Sequence, residues 1–190
     1  RGDRLSAVGT FQTLLNDPEI RKNLPAALYH ESTIALADSL SLEGNESSAI
    51  DSLLQTLNKN PAPTNLEAIF ARLRIWADKT DSAALILNIS KWTPPLPVSL
   101  ENPLVKDFNS AQTITPTLPN AIPGTTLPDL RSLYSLSFLV SIQLQSDDPA
   151  QRREGRKRAA QLQLICPSGS ALVNRSLLEL GVVKFEENNF

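Results

Sequence analysis

The chain has 190 residues, of which 41% are hydrophobic and 20% charged, with a formal charge of −2. A chain of this size and balance can bury a core as one domain or one compact array of repeats, and wholesale disorder is excluded. Near-neutrality supplies no global field for nucleic acid, an anionic membrane or a strongly charged substrate.

Leu5, Val8, Phe11 and Leu15 fall at helical spacing, and Asn16-Asp17-Pro18 is expected to stop that helix with a turn. From Pro25, a favourable first-turn residue, a second helix is predicted over 26–42, with Leu28, Ile34, Leu36, Ala37 and Leu40 on helical spacing and Glu43-Gly44-Asn45 ending it. Residues 47–58 form its partner, turning Ile50, Leu53, Leu54 and Leu57 inward, and Asn60-Pro61-Ala62-Pro63 closes the hairpin. Thr64 then caps a helix through Leu66, Ile69, Phe70, Leu73 and Trp76. A turn at 78–81 leads to a helix carrying Leu85, Ile86 and Ile89, and Pro94-Pro95 ends it.

Residues 30–63 superimpose on 64–97 at an offset of 34, pairing Leu36 with Phe70, Ala37 with Ala71, Leu42 with Trp76, Gly44 with Asp78, Ala49 with Ala83, Leu53 with Leu87 and Pro61 with Pro95. A period of this size signifies stacked helical hairpins. On these residues the stretch 30–97 resembles two tetratricopeptide repeats. The resemblance puts Ala37 and Ala71 where the helices of a hairpin cross, Ala49 and Ala83 where the next helix approaches, Gly44 in the turn, and Pro61 and Pro95 at the repeat ends. The pattern departs from the family where Asp78 replaces the turn glycine and where the first helix lacks its usual aromatic residue.

Residues 93–128 carry eight prolines and few charges, which argues against a long helix and for an insertion or linker. Helical signal returns with Leu130, Leu133, Leu136 and Val140 on one face, and Asp147-Asp148-Pro149 ends one helix and starts the next. That partner, over 150–165, turns Ala159, Leu162 and Ile165 inward before Cys166-Pro167, and Gly155 precedes Pro167 by the same 12 positions that separate Ala49 from Pro61. A degenerate further unit over 128–167 is therefore expected. Ser168-Gly169-Ser170 caps a last helix through Leu172, Leu177, Leu178 and Leu180, whose outer face should be polar if it closes the stack. The resulting division is a repeat part at 1–92, a proline-rich loop or linker at 93–127 and a helical part at 128–190. The expected fold is all-α, a tetratricopeptide-like solenoid of antiparallel hairpins with a long insertion.

Little of the chain reads as chemistry. The seven glycines make neither the dinucleotide-binding nor the P-loop spacing, so no cofactor is implied. His30, the single histidine, stands at the start of a repeat helix and reads as a packing or surface residue. Cys166 is the single cysteine, so neither an internal disulfide nor a cysteine zinc site is available, and it reads as a buried small hydrophobe in a protein of a reducing, intracellular compartment. Asp147-Asp148 and Glu186-Glu187 are adjacent pairs that diverge rather than converge on a substrate, and the sequons at Asn45, Asn88 and Asn174 read as chance. The absence of methionine marks the sequence as a fragment or processed form. The first 25 residues lack the apolar stretch of a retained signal peptide, and the most apolar stretch, 133–144, is too short to cross a bilayer.

Arg152, Arg153, Arg156, Lys157 and Arg158 form a basic cluster, with Arg152 and Arg156 on one helical face and Arg153 and Lys157 on the next. Without interleaved aromatic residues it points away from nucleic acid. By the resemblance, a partner-binding groove would be lined by Ile34, Asp38 and Ser41 from the first unit and Ala68, Arg72 and Ile75 from the second. Ile34 and Asp38 stand where some relatives carry the lysine and asparagine that grip a partner's terminal carboxylate, so that clamp is not expected. The sequence thus predicts a non-catalytic scaffold or assembly subunit that binds another protein or peptide. The alternatives are a structural domain of a larger enzyme, a hydrolase with an unrecognised site, and a structural piece whose groove is filled by its own residues 93–128.

Overall fold

A computed structural model describes residues 2–59, 63–79, 82–96, 129–166 and 169–188. The proline-rich segment beyond Leu96 lies outside these residues, as do Pro61, Pro167 and the side chains of Thr64, Glu186 and Glu187. Every regular element among the described residues is a helix, and the chain divides into two compact units, 1–92 and 93–190.

The first unit holds α1 (Gly2–Asn16), α2 (Pro18–Asn23), α3 (Ala26–Leu42), α4 (Glu46–Asn58), α5 (Pro63–Trp76), a 3-10 turn (Ala77–Lys79) and α6 (Ser82–Ser90). Asn16-Asp17-Pro18 ends one helix and starts another: Asp17 accepts the amides of Glu19 and Ile20, and Pro18 fills the first-turn position, where a missing N–H costs nothing. The α3–α4 turn is equally tight. Gly44, at φ +79°, sits in the left-handed region while Asn45 N–H donates back to the Leu40 carbonyl at 2.9 Å, and Asn45 Oδ1 then accepts Ser48 N–H as the cap of α4. This fold-back packs α4 along α3, with α1 against α3 and α5 against both hairpin helices. Ala37, Ala49, Leu53, Leu57, Ile69, Phe70 and Leu73 are fully buried. Leu28, expected inward, is 48% exposed because it lies in the first turn of α3, beyond the helix's buried stripe of His30, Thr33, Ile34, Ala37 and Leu40.

Burial does not follow the 34-residue offset. That offset pairs buried Ala37 with exposed Ala71, buried Ala49 with exposed Ala83, and buried Leu53 with Leu87, which is exposed, so the expected roles of Ala71 and Ala83 at helix crossings do not hold. In the first helices burial repeats at 33, matching Leu36 with Ile69, Ala37 with Phe70 and Leu40 with Leu73. In the second helices it repeats at 36, matching Ala49 with Leu85 and Leu53 with Ile89. The connections differ as well: three residues, 43–45, join the first pair of helices through Gly44, whereas five, 77–81, separate α5 from α6 and open with the 3-10 turn Ala77–Lys79.

The second unit holds α7 (Leu130–Leu144), α8 (Pro149–Ile165) and α9 (Ala171–Asn188), each packed on the other two. Asp129 caps α7 by accepting Ser132 N–H at 2.7 Å, Asp148 caps α8 through Ala150 N–H at 2.8 Å, and Ser170 Oγ accepts Val173 N–H. α7 is central: Ser135 through Ser141 are buried in succession, which takes in every side of the helix. Leu136, Leu162, Cys166 and Val173 form one apolar cluster, and Val140, Leu144, Ala159 and Val183 another. Polar ties accompany them. Ser141 Oγ donates to Glu179 Oε1 at 2.6 Å, and Gln161 Nε2 donates to the carbonyls of Pro94 and Pro95 at 3.2 and 2.7 Å, holding the start of the proline-rich segment on α8.

Gly155 marks the closest approach of α8 to α7, for a Cβ there would lie 3.0 Å from Leu144 N and 3.1 Å from Gln143 Cβ. Gly155→Ala is expected to destabilise the protein by about 1–3 kcal/mol, because overpacking against backbone outweighs alanine's helix propensity. Gly181→Ala in α9, where a Cβ meets nothing within 4 Å, should gain about 0.5–1 kcal/mol. Equal urea midpoints for the two variants would refute the close crossing.

Candidate functional site

The six expected groove positions divide. Asp38 and Arg72 are brought together: Arg72 Nε and Nη2 donate to Asp38 Oδ1 and Oδ2 at 2.6 and 2.7 Å, a bidentate pair linking α3 to α5, and Arg72 Nη1 also donates to the Ala68 carbonyl at 3.0 Å. Hydrogen bonding to the carboxylate raises the guanidinium's pKa above its ordinary value. Ser41 and Ala68 are half-buried and Ile75 is exposed. Ile34 is buried and belongs to the core face of α3, a correction to the groove set. A second ion pair, Lys79 Nζ to Glu46 Oε1 at 2.9 Å, ties the 3-10 turn to the start of α4.

The basic cluster is less uniform than its sequence. Glu154 lies among the cations, 3.8 Å from Lys157 Nζ and 3.4 Å from Arg158 Nη2. Arg158 is half-buried, and burial lowers its pKa. Arg152 is half-buried too and donates to the Asp147 carbonyl, leaving Arg153 and Arg156 as the exposed members. Cys166 lies within the Leu136 cluster, where burial pushes its thiol pKa up. Among the described residues no three His, Cys, Asp or Glu side chains gather as a metal ion would require, and no helix is long and apolar enough to cross a membrane.

The first unit holds a cleft of about 520 Å³ where α1, α3 and α4 converge. The wall from α4 consists of Ser48, Ser52, Gln55 and Thr56, extended by Asn45 and Lys59 at the helix ends. These positions recur on one face of the helix, opposite the apolar stripe that packs on α3. A hydrophilic stripe here gives α1 no apolar seam on α4, so α1 packs on α3 and the space stays open. Lys59 Nζ lies 3.9 Å from the centre of the Tyr29 ring and donates to its hydroxyl, and the Arg21 guanidinium carbon is 5.6 Å from the same ring centre. His30 is buried next door, its ring edge-on to Tyr29 at 5.8 Å, with Nδ1 lacking a partner. Burial first, and the Lys59 charge second, hold its pKa below the ordinary value.

A further surface lies on α9. Val173, Ser176 and Val183 face inward, while Leu178, Val182 and Phe185, spaced by four and three residues, are 70%, 50% and 70% exposed. Leu177 is exposed beside them. The outer face is therefore apolar, against the expectation of a polar capping face. The signal was present in the sequence, because the hydrophobic residues of this helix cover two opposite stripes rather than one.

Comparison with protein-family models, curated proteins and solved structures finds no match to this chain.

Because the unfolded chain takes up the His30 proton near pH 6.5 and the folded protein resists it, stability should decrease as pH falls below about 6.5. Urea midpoints at pH 7.5 and 5.5 measure the loss, which His30→Gln should reduce; a wild-type midpoint unchanged over this range would contradict a buried neutral imidazole. Both partners of the Asp38–Arg72 pair are part-exposed, so a double-mutant cycle with Asp38→Asn and Arg72→Met should return about 0.5–1 kcal/mol of coupling at low salt, decreasing in 1 M NaCl.

Proposed function

We propose that the protein is a non-catalytic interaction module which binds an amphipathic helix of a partner protein along the outer face of α9. The observation that carries this reading is the stripe Leu178, Val182 and Phe185. Apolar residues at i, i+4 and i+7 on an exposed helix supply the ridge that a second helix covers, and soluble proteins rarely leave such a face open without use. Among the described residues no carboxylate lines the cleft beside His30, so hydrolysis by paired carboxylates gains no support there. The α3–α4 hairpin with α5 against it is compatible with tetratricopeptide-like stacking, although the unequal burial offsets favour hairpins of different turn length over a strict repeat.

Photo-crosslinking from benzoylphenylalanine placed at Val182, in extract of the source cell, tests the reading. A crosslinked partner polypeptide that disappears in a Leu178→Asp, Phe185→Asp background supports it, and because both side chains are exposed the double variant should retain the wild-type melting temperature. No crosslink above background, or crosslinks solely to a second copy of the chain, would refute it.

A further inference from the structure

The cleft of the first unit is a second binding site, separate from the α9 surface, and three of its properties constrain the occupant. The first is shape. Its α4 wall runs from Asn45 to Lys59, about 21 Å of helix, a length that about six residues of extended chain would span. The floor is apolar, made by Leu15, Leu36 and Leu40.

The second property is the hydrogen-bonding sense of the walls. Ser52 Oγ donates to the Ser48 carbonyl at 2.9 Å, Thr56 Oγ1 to the Ser52 carbonyl at 3.0 Å, and Thr33 Oγ1 to the Tyr29 carbonyl at 2.9 Å. Each hydroxyl has committed its one hydrogen to its own helix; Thr33 and Thr56 are buried, and the half-buried Ser52 offers the cleft only lone pairs. At Ser52 the cleft thus favours a ligand that donates. A peptide backbone does so through its N–H groups, whereas a phosphate or a simple carboxylate does not. Gln12, Asn16 and Gln55 add amides that serve either sense.

The third property is charge. Arg21 and Lys59 both stand at the Tyr29 end, and among the described residues no carboxylate lines the cleft. Lys59 gives one donor to Tyr29 and retains others. The geometry points to an extended acidic peptide as the occupant: its backbone lies along α4, its apolar side chains meet Leu15, Leu36 and Leu40, and its carboxylate lies at the Tyr29 end, where Arg21 and Lys59 supply the positive charge.

The test uses the full 190-residue chain and fluorescein-labelled, N-acetylated, C-amidated hexapeptide pools that carry Glu, Gln or Lys at one fixed position, read by fluorescence anisotropy at 50 mM NaCl. For one fixed position the Glu pool should bind about tenfold more tightly than the Gln pool, as expected for a charge-assisted contact. Arg21→Gln combined with Lys59→Gln should abolish that preference, and Arg21→Glu combined with Lys59→Glu should transfer it to the Lys pool. Equal binding of the Glu and Gln pools, or a Glu preference that survives both double variants, overturns the inference. So does binding in which glutarate or inorganic phosphate alone matches the peptide pool, because the wall would then contribute nothing. Arg21 and Lys59 are exposed, so the variants should melt with the wild type, and the charge-reversed pair gives a gain of binding that misfolding cannot imitate.

Discussion

The packing of α4 along α3 is the contact on which the first unit depends. Ala49 and Leu53 are fully buried on one side of α4, and the Gly44 turn forces the two helices antiparallel within three residues. Once that face is committed, the opposite face of α4 is fixed in space, and its Ser, Thr and Gln side chains become the wall of the cleft. The same rigid pair presents Asp38 to Arg72 and Glu46 to Lys79, so α5 and the following turn are held by charge as well as by apolar contact. These part-exposed pairs add little stability individually, and their bidentate or short geometry serves register more than strength.

The second unit follows a different plan. One helix, α7, is enclosed, and neighbouring helices provide partners for two of its buried polar side chains, Glu179 for Ser141 and Gln151 for Gln143 Nε2. Gly155 allows α8 to approach within backbone contact of α7, which brings Ala159 and Leu162 into the two apolar clusters. α9 then covers part of the remaining surface with Val173 and Val183 and leaves its other apolar stripe outside. A helix with two apolar faces and one neighbourly side is a helix with an unmet contact.

Both candidate surfaces are defined by residues that sequence patterning treats as ordinary. Serine and threonine spaced along a helix read as a solvated face, and leucine, valine and phenylalanine along a helix read as core. In each case the surroundings reverse the reading: α1 encloses the polar stripe of α4 enough to make a cleft, and among the described residues of its own unit none covers the outer stripe of α9. The expected groove, by contrast, rested on an offset of 34 between the first helices, whereas burial there repeats at 33. Asp38 and Arg72, expected to line the groove, satisfy each other.

The amino-acid sequence by itself determined the helices and their ends. Caps at Asp17, Asn45, Asp129 and Asp148, prolines at 18 and 149 and the glycine at 44 act within a few residues of themselves, so local chemistry suffices to place them. It also determined the all-α class and most of the core stripes, since Leu53, Leu57, Leu66, Ile69, Phe70, Leu73, Leu136 and Leu162 lie at the helical period and are buried. Tertiary structure alone decided which of two candidate faces each helix buries, where Ile34 and Leu28 part company, and that Arg21, Tyr29 and Lys59 meet at one end of a cleft. Those outcomes depend on contacts between residues tens of positions apart, set by the rotation and crossing of whole helices, and no local pattern encodes that rotation.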